Sequence, residues 1–166
     1  MNELLTDLEF YPAQISDASV WGQLRQAAWA TTYRGIYPDA MIDDFDFSWH
    51  LKKDRDKLRN PEFHVYFLRL RSRNAGYLVY RHEAKRVTLN SLYLLPEARR
   101  RGIGRIALQH VRTYCREHGV SGFRLQCNPW NENAMAFYRA MGGTIIKWDT
   151  GYAEKLQDGV VFEFSV

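Results

Sequence analysis

Apolar residues recur along this chain in two rhythms, one near 3.6 residues and one of 2, and the points where one yields to the other mark its elements. Residues 8–14 read as a first strand, and Pro12 within it predicts an edge position. Val20, Leu24, Ala27, Ala28 and Thr31 recur at helical spacing, so 17–33 is an amphipathic helix with Ser16 or Asp17 as its cap. Arg34-Gly35-Ile36-Tyr37-Pro38 breaks that pattern. A short helix starts near Ala40, and 48–59 is a charged third helix, capped by Ser48 and stopped at Asn60-Pro61. Three β-rich runs follow at 63–70, 75–81 and 87–95, separated by polar turns at 71–74 and 83–85.

The third of these runs changes phase. Val87 and Leu89 are apolar on odd positions, Leu92 and Leu94 on even ones. A strand sends alternate residues to opposite faces, so its apolar face slips by one between Leu89 and Leu92. A β-bulge at Asn90-Ser91 restores the phase, and bulges are over-represented beside active sites. A strand buried on both faces would show the same letters with no bulge.

Beyond it the chain reads helix, strand, helix, strand, strand. Ile103, Ile106, Ala107, His110, Val111, Tyr114 and Cys115 form one helical stripe that Gly119 ends. Residues 123–127 are a strand, and 131–141 a helix with Ala134, Phe137, Tyr138 and Met141 on one side and Gly142-Gly143 as its stop. Residues 144–148 and 160–166 close the chain as an antiparallel pair. The strands joined through the helix that opens at Gly102 run parallel, as a crossover requires. The sum is one mixed α/β domain over residues 1–166, without repeat or linker.

Between strand and helix lies Arg99-Arg100-Arg101-Gly102-Ile103-Gly104-Arg105. The first amides of a helix have no internal partner and carry the positive end of its dipole. Glycines let the backbone approach an anion closely, and arginines add forked donors suited to phosphate oxygens. Residues 99–105 therefore read as a cradle for a pyrophosphate.

Composition narrows the partners. The chain has 166 residues, enough for a proper core, and 14% of them are aromatic, which suggests a lined cleft as well. Its net charge of +4 suits a nucleic acid or a small polyanion. The distribution favours the polyanion, because four arginines fall within 99–105 while Asp39, Asp43, Asp44 and Asp46 gather elsewhere. No apolar run approaches the roughly 20 residues of a membrane span. The start, Met1-Asn2-Glu3-Leu4-Leu5-Thr6-Asp7, lacks the basic and apolar parts of a signal peptide. Cys115 and Cys127 offer neither a disulfide framework nor a metal spacing, so both are expected reduced in a cytoplasmic protein. His64, His82 and His110 are not spaced as ligands and read as surface or core residues.

At this point the chain resembles the GNAT superfamily of N-acetyltransferases. That family's turn, Gln/Arg-x-x-Gly-x-Gly/Ala, is matched by Arg99, Gly102 and Gly104. Its second signature, Asn-x-x-Ala-x-x-Phe-Tyr-x-x-x-Gly, is matched by Asn131, Ala134, Phe137, Tyr138 and Gly142. The phrase Trp29-Ala30-Thr31-Thr32-Tyr33-Arg34-Gly35-Ile36-Tyr37-Pro38 resembles bacterial members that acetylate small amines. The resemblance implies a mostly antiparallel twisted sheet with helices on both faces and a parallel, splayed strand pair at the cofactor cleft. It implies acetyl-CoA, with its pyrophosphate on the amides of Arg99, Arg100, Arg101, Gly102, Ile103 and Gly104, beside Arg105. It implies pantetheine along the strand carrying Leu92 and Leu94, with Asn131 on the cofactor arm and Tyr138 facing the sulfur.

The chemistry implied is direct attack of a primary amine on the thioester in a ternary complex. The amide of Leu94 is placed to meet the oxyanion, and Tyr138 to protonate the departing thiolate. A ping-pong route through Cys127 is conceivable, but direct transfer needs no nucleophile, so Cys127 reads as structural. Many relatives carry Glu as base about where this chain has Thr88, and neither Glu97 nor Glu83 replaces it, so the base stays open. Arg100 stands where the family turn commonly has glycine. Trp29, Tyr33, Tyr37, Asp39, Asp43, Asp44, Phe45, Asp46, Phe47 and Trp49 populate the region where the family binds its acceptor, so a small cationic amine is expected there. The alternative is a CoA-binding regulatory module that has lost catalysis. Neither nucleic acid, membrane nor metal is expected as a partner, and the oligomeric state, a homodimer included, is left open.

Overall fold

Pro12 has no amide to give, and the first strand stops there, two residues short of the expected end. The structure, a computed structural model, describes residues 6–166; the acidic start lies outside the described residues up to Leu5. β1 (Leu8–Pro12) is followed by a single 3-10 turn and then α1 (Ala18–Thr32), α2 (Asp39–Asp43) and α3 (Phe47–Arg59). Next come β2 (Phe63–Leu70), β3 (Arg73–Glu83) and β4 (Arg86–Leu94), then α4 (Ile103–Glu117), β5 (Gly122–Cys127), α5 (Glu132–Ala140), β6 (Thr144–Asp149) and β7 (Gly159–Ser165).

Seven strands form one sheet in the order β1-β2-β3-β4-β5-β7-β6. Among the described residues only β4 and β5 pair in parallel; β7 inserts between β5 and β6, antiparallel to both. Alternation along the strands sends Leu68, Leu78, Leu89 and Leu125 to one face, where α4 and α5 cover them. The other face carries Phe67, Tyr77 and Val79, under Trp21 and Leu24 of α1 and Leu58 of α3. A bidentate ion pair between Arg25 and Asp54, at 2.6 and 2.8 Å, joins α1 to α3. Both partners are buried, so each is the other's main compensation for lost water.

Some expectations shift. Asp46, not Ser48, caps α3, accepting from the Trp49 amide at 3.0 Å. Asp17 stands at the start of α1 without capping it, its carboxylate accepting from the Gln14 amide instead. The β2–β3 turn is only Arg71-Ser72, both left-handed at φ 48° and 63°, so β3 starts two residues early. Buried Leu108 and Met135 join the α4 and α5 core faces, which the stripes did not give them; Ala134 packs against the same core as expected.

The histidines do meet, through tyrosines. The Tyr114 hydroxyl lies 2.9 Å from His82 Nδ1 and 3.1 Å from His64 Nε2, and the Tyr80 hydroxyl 3.3 Å from His110 Nε2. Burial lowers the pKa of His64 and His110. Among the described residues, no three His, Cys, Asp or Glu side chains are placed to hold a metal. Among them also, no helix is long and apolar enough to cross a membrane.

Candidate active site

The site begins with a slip of register. Val79 pairs with Ser91 and Tyr80 with Leu89, so Asn90 is the extra residue of a β-bulge on β4. β5 follows β4 only from Val87 to Leu89, and past the bulge the two strands part. Residues 90–94 keep β3 on one side and, among the described residues, have no strand on the other.

Backbone alternation then fixes what faces the opening. The Leu95 amide donates to Ala75 at 2.8 Å, toward β3. Its neighbour Leu94 therefore turns both its amide and its carbonyl to the splayed side. Arg99 Nε donates to that carbonyl at 2.9 Å. The same guanidinium reaches the hydroxyls of Thr31 at 2.9 Å and Thr32 at 3.2 Å, the last residues of α1. Arg99 thus directs its guanidinium at protein, clamping α1 to the end of β4, a role its place in the turn did not announce. The Leu92 and Leu94 side chains pack toward α4, and those of Tyr93 and Leu95 toward α1.

The turn beyond is uncapped. Arg100 and Gly102 are left-handed, at φ 62° and 84°. No side chain caps α4, and its first internal bond runs from the Ile106 amide to Gly102. The amides of Ile103, Gly104 and Arg105 therefore precede the ladder. Arg100, Arg101 and Arg105 are exposed, with no ion pair among the described residues. The Ile103 side chain is core, which leaves only its backbone for a ligand. Gly104 has a packing reason to be glycine, since a Cβ there would come within 2.9 Å of the Phe137 ring. The two sequence motifs are in this way locked against each other.

α5 supplies the opposite side. Asn131 caps it, its side-chain oxygen accepting from the Ala134 amide at 3.2 Å; its amide hydrogens are the part left for a ligand. Tyr138 is 9% exposed, its ring against Phe162 and Phe164. Burial first, and the neighbouring Cys127 second, push its phenol above the usual range, so it stays protonated. Burial pushes the Cys127 thiol up to about 12, which makes it a poor nucleophile and fits a structural residue.

A match to the family model described as "Acetyltransferase (GNAT) family" extends over residues 21–142, which contain the bulged strand, the arginine turn and α5. The chain belongs to the acetyltransferase (GNAT) family. It is a transferase that takes its acetyl group from acetyl-CoA. Similar folds include the PaiA N-acetyltransferase of Thermoplasma acidophilum in complex with coenzyme A, at 21% identity and TM-score 0.79, covering 96% of this chain and 99% of that one. Another is the ribosomal-protein-S18-alanine N-acetyltransferase of Escherichia coli, at 17% identity and TM-score 0.73, covering 95% and 93%. A third is a Salmonella typhimurium acetyltransferase that modifies the N-terminal serine of a 50S ribosomal subunit protein, at 18% identity and TM-score 0.73, covering 97% and 96%.

On this acetyltransferase an open groove of about 380 Å³ lies between residues 35–39 and residues 154–156. The second wall is tied over the β5–α5 loop. Asp158 accepts from Trp130 Nε1 at 2.8 Å, Asn128 donates to the Lys155 carbonyl at 2.7 Å, and the Lys155 ammonium sits 4.4 Å from the Trp130 ring centre. Of the expected acidic residues Asp39 lines the first wall, and Arg34 binds both it, at 3.2 Å, and Asp43, at 2.5 Å. That pairing holds the Asp43 carboxyl below its usual range. With Asp46 acting as a helix cap, the acidic segment is largely engaged with its own protein.

Proposed function

We propose that this acetyltransferase transfers the acetyl group to a primary amine of a small cationic acceptor, by direct attack in a ternary complex. The observation that supports it most is the open edge of β4 past Asn90. It is strand-like on one side and free on the other, with the Leu94 amide facing outward and the uncapped turn at its end. When bound, acetyl-CoA supplies the acetyl thioester. Leu92 and Leu94 offer it backbone groups as a neighbouring strand would. The amides of 102–105 and the free guanidinium groups of Arg100, Arg101 and Arg105 suit its diphosphate. The Arg99 guanidinium acts from behind as a clamp. Asn131 keeps two donors for the cofactor arm.

The Leu94 amide is a preorganised donor for a developing oxyanion. Tyr138, neutral and buried, holds the proton that a departing thiolate needs. The groove between 35–39 and 154–156 leads the acceptor in, past Tyr37, Asp39 and Glu154. Two unpaired thiols and a CoA donor fit a cytoplasmic setting. The test is CoA thiol release from acetyl-CoA with a polyamine, an amino-acid amide, an arylamine and a peptide with a free N-terminus. Fastest turnover is expected with the first two. No release above hydrolysis with any amine overturns the transfer, and preference for the arylamine or the peptide overturns the acceptor class.

A further inference from the structure

Acetyl transfer to an amine needs a partner for the amine's own hydrogen, and Thr88 is no such partner. It lies ahead of the bulge, exposed, paired across to Arg81 on β3 and Arg124 on β5. What runs from the groove to the end of β4 instead is a chain of tyrosines. Tyr37 lines the groove and stacks on Tyr33, centroids 4.1 Å apart and planes within 8°. The Tyr33 hydroxyl hydrogen-bonds the Tyr93 hydroxyl. Tyr93 sits on β4 between Leu92 and Leu94, past the bulge. Tyr33 follows the last turn of α1, which Arg99 clamps to the Leu94 carbonyl through Thr31 and Thr32.

We infer that the Tyr33–Tyr93 hydroxyl pair receives the acceptor amine, accepting an N–H hydrogen bond from its neutral form and orienting its lone pair at the thioester. This rests on the transfer proposed above and adds two catalytic residues to it. The atoms balance without a carboxylate. The N–C bond forms as the C–S bond breaks, and Tyr138 protonates the sulfur and recovers its proton from water. The nitrogen, made acidic by bond formation, releases one proton along the pair to water. One proton has moved in net from nitrogen to sulfur. Burial keeps both hydroxyls protonated, so they orient and relay and do not act as an ionised base.

The experiment compares wild type with Tyr33→Phe, Tyr93→Phe, the double variant and Tyr77→Phe, using the best amine of the panel. Tyr77 faces Tyr93 across the ladder, but its hydroxyl is buried without a hydrogen-bond partner among the described residues, so it controls for mere loss of a phenol. Each single change at the pair should lower kcat/KM for the amine about 100-fold, the low end for a positioned proton-transfer group. The double should be no worse than the more impaired single, since the two act as a unit. Acetyl-CoA affinity by calorimetry and the melting temperature should match wild type. Tyr77→Phe should keep full activity. In wild type, kcat/KM should rise with pH up to the amine's own pKa and shift with it when an amine of lower pKa is used. Wild-type kcat/KM in either single variant, or losses that appear equally in CoA affinity, melting temperature and the Tyr77→Phe control, overturn the pair. Wild-type enzyme that turns over no amine overturns the transfer itself, and the pair's role with it.

Discussion

Two segments of this acetyltransferase concentrate charge, and the fold treats them in opposite ways. Residues 99–105 keep their binding groups free. The amides ahead of α4 have no cap, and three of the four arginines pair with nothing among the described residues. Residues 39–46 absorb their own charge, with two carboxylates on Arg34 and a third on the α3 amides. The difference lies in what encodes each site. The turn is made of backbone, whose direction Gly102 fixes at φ 84° whatever the side chains do. The acidic segment is made of side chains, and a side chain takes the nearest partner the fold brings to it. Charge in a backbone site is available by construction; charge in a side-chain cluster is available only after its neighbours have been served.

The largest effect should come from putting side-chain charge into the backbone site. Asp tolerates the left-handed conformation, so Gly102→Asp should fold. Its carboxylate would face the diphosphate, and like charges so placed cost several kcal/mol, or about 1000-fold in acetyl-CoA affinity. Calorimetric titration showing wild-type affinity would end the idea that the turn holds the cofactor.

Next is Tyr138→Phe, which probes the proposed acid. If the phenol acts as proposed, only as the thiolate leaves, kcat should fall about 100-fold with acetyl-CoA affinity unchanged. Unaltered single-turnover rates would return Tyr138 to the core.

Arg99→Ala separates the one arginine of the turn that behaves like the acidic segment. Its guanidinium serves Leu94, Thr31 and Thr32, so its loss should loosen α1 from β4. Unfolding in urea should show about 2 kcal/mol less stability, the scale of hydrogen bonds to a charged group. Calorimetry should find acetyl-CoA affinity close to wild type. A large affinity loss with stability intact would make Arg99 a phosphate ligand after all.

The same division explains what the sequence made legible. The bulge could be read because Leu89 and Leu92 break a period of 2, and the turn because two glycines follow an apolar strand. The parallel β4–β5 pair follows from their crossover through α4, while the mostly antiparallel sheet around it was implied by the family resemblance. Contacts between side chains far apart in sequence left no such trace. Arg99 and Thr31 are 68 residues apart, and Tyr33 and Tyr93 60. No local pattern says they meet. The hairpin turn at 71–74 was legible, but it is two residues shorter than expected, for a different reason. Arg71 and Ser72 adopt left-handed angles without the Gly or Asn that announces them, so the tightness of the turn carried no signal.

The smallest effect, and the sharpest for the comparison, concerns Arg34. An acidic mouth with free carboxylates would steer a cationic amine, and neutralising Asp43 and Asp44 would slow capture. With Arg34 on Asp39 and Asp43, the three groups sum to one negative charge, so the field reaching solvent is weak. Asp44 stands outside that set, so Asp43→Asn with Asp44→Asn, which removes two negative charges, should lower kcat/KM for a cationic amine at low salt by about two- to fourfold. Arg34→Gln should do the opposite of a normal loss-of-contact variant. It frees two carboxylates beside the groove, and kcat/KM for a cationic amine at low salt should rise about two- to threefold, within the range of electrostatic steering. The gain should vanish as salt rises and the field is screened, and should be absent for a neutral amine. A fall in kcat/KM for both amines at all salt concentrations would show instead that Arg34 shapes the groove wall, and that the acidic segment is structural throughout.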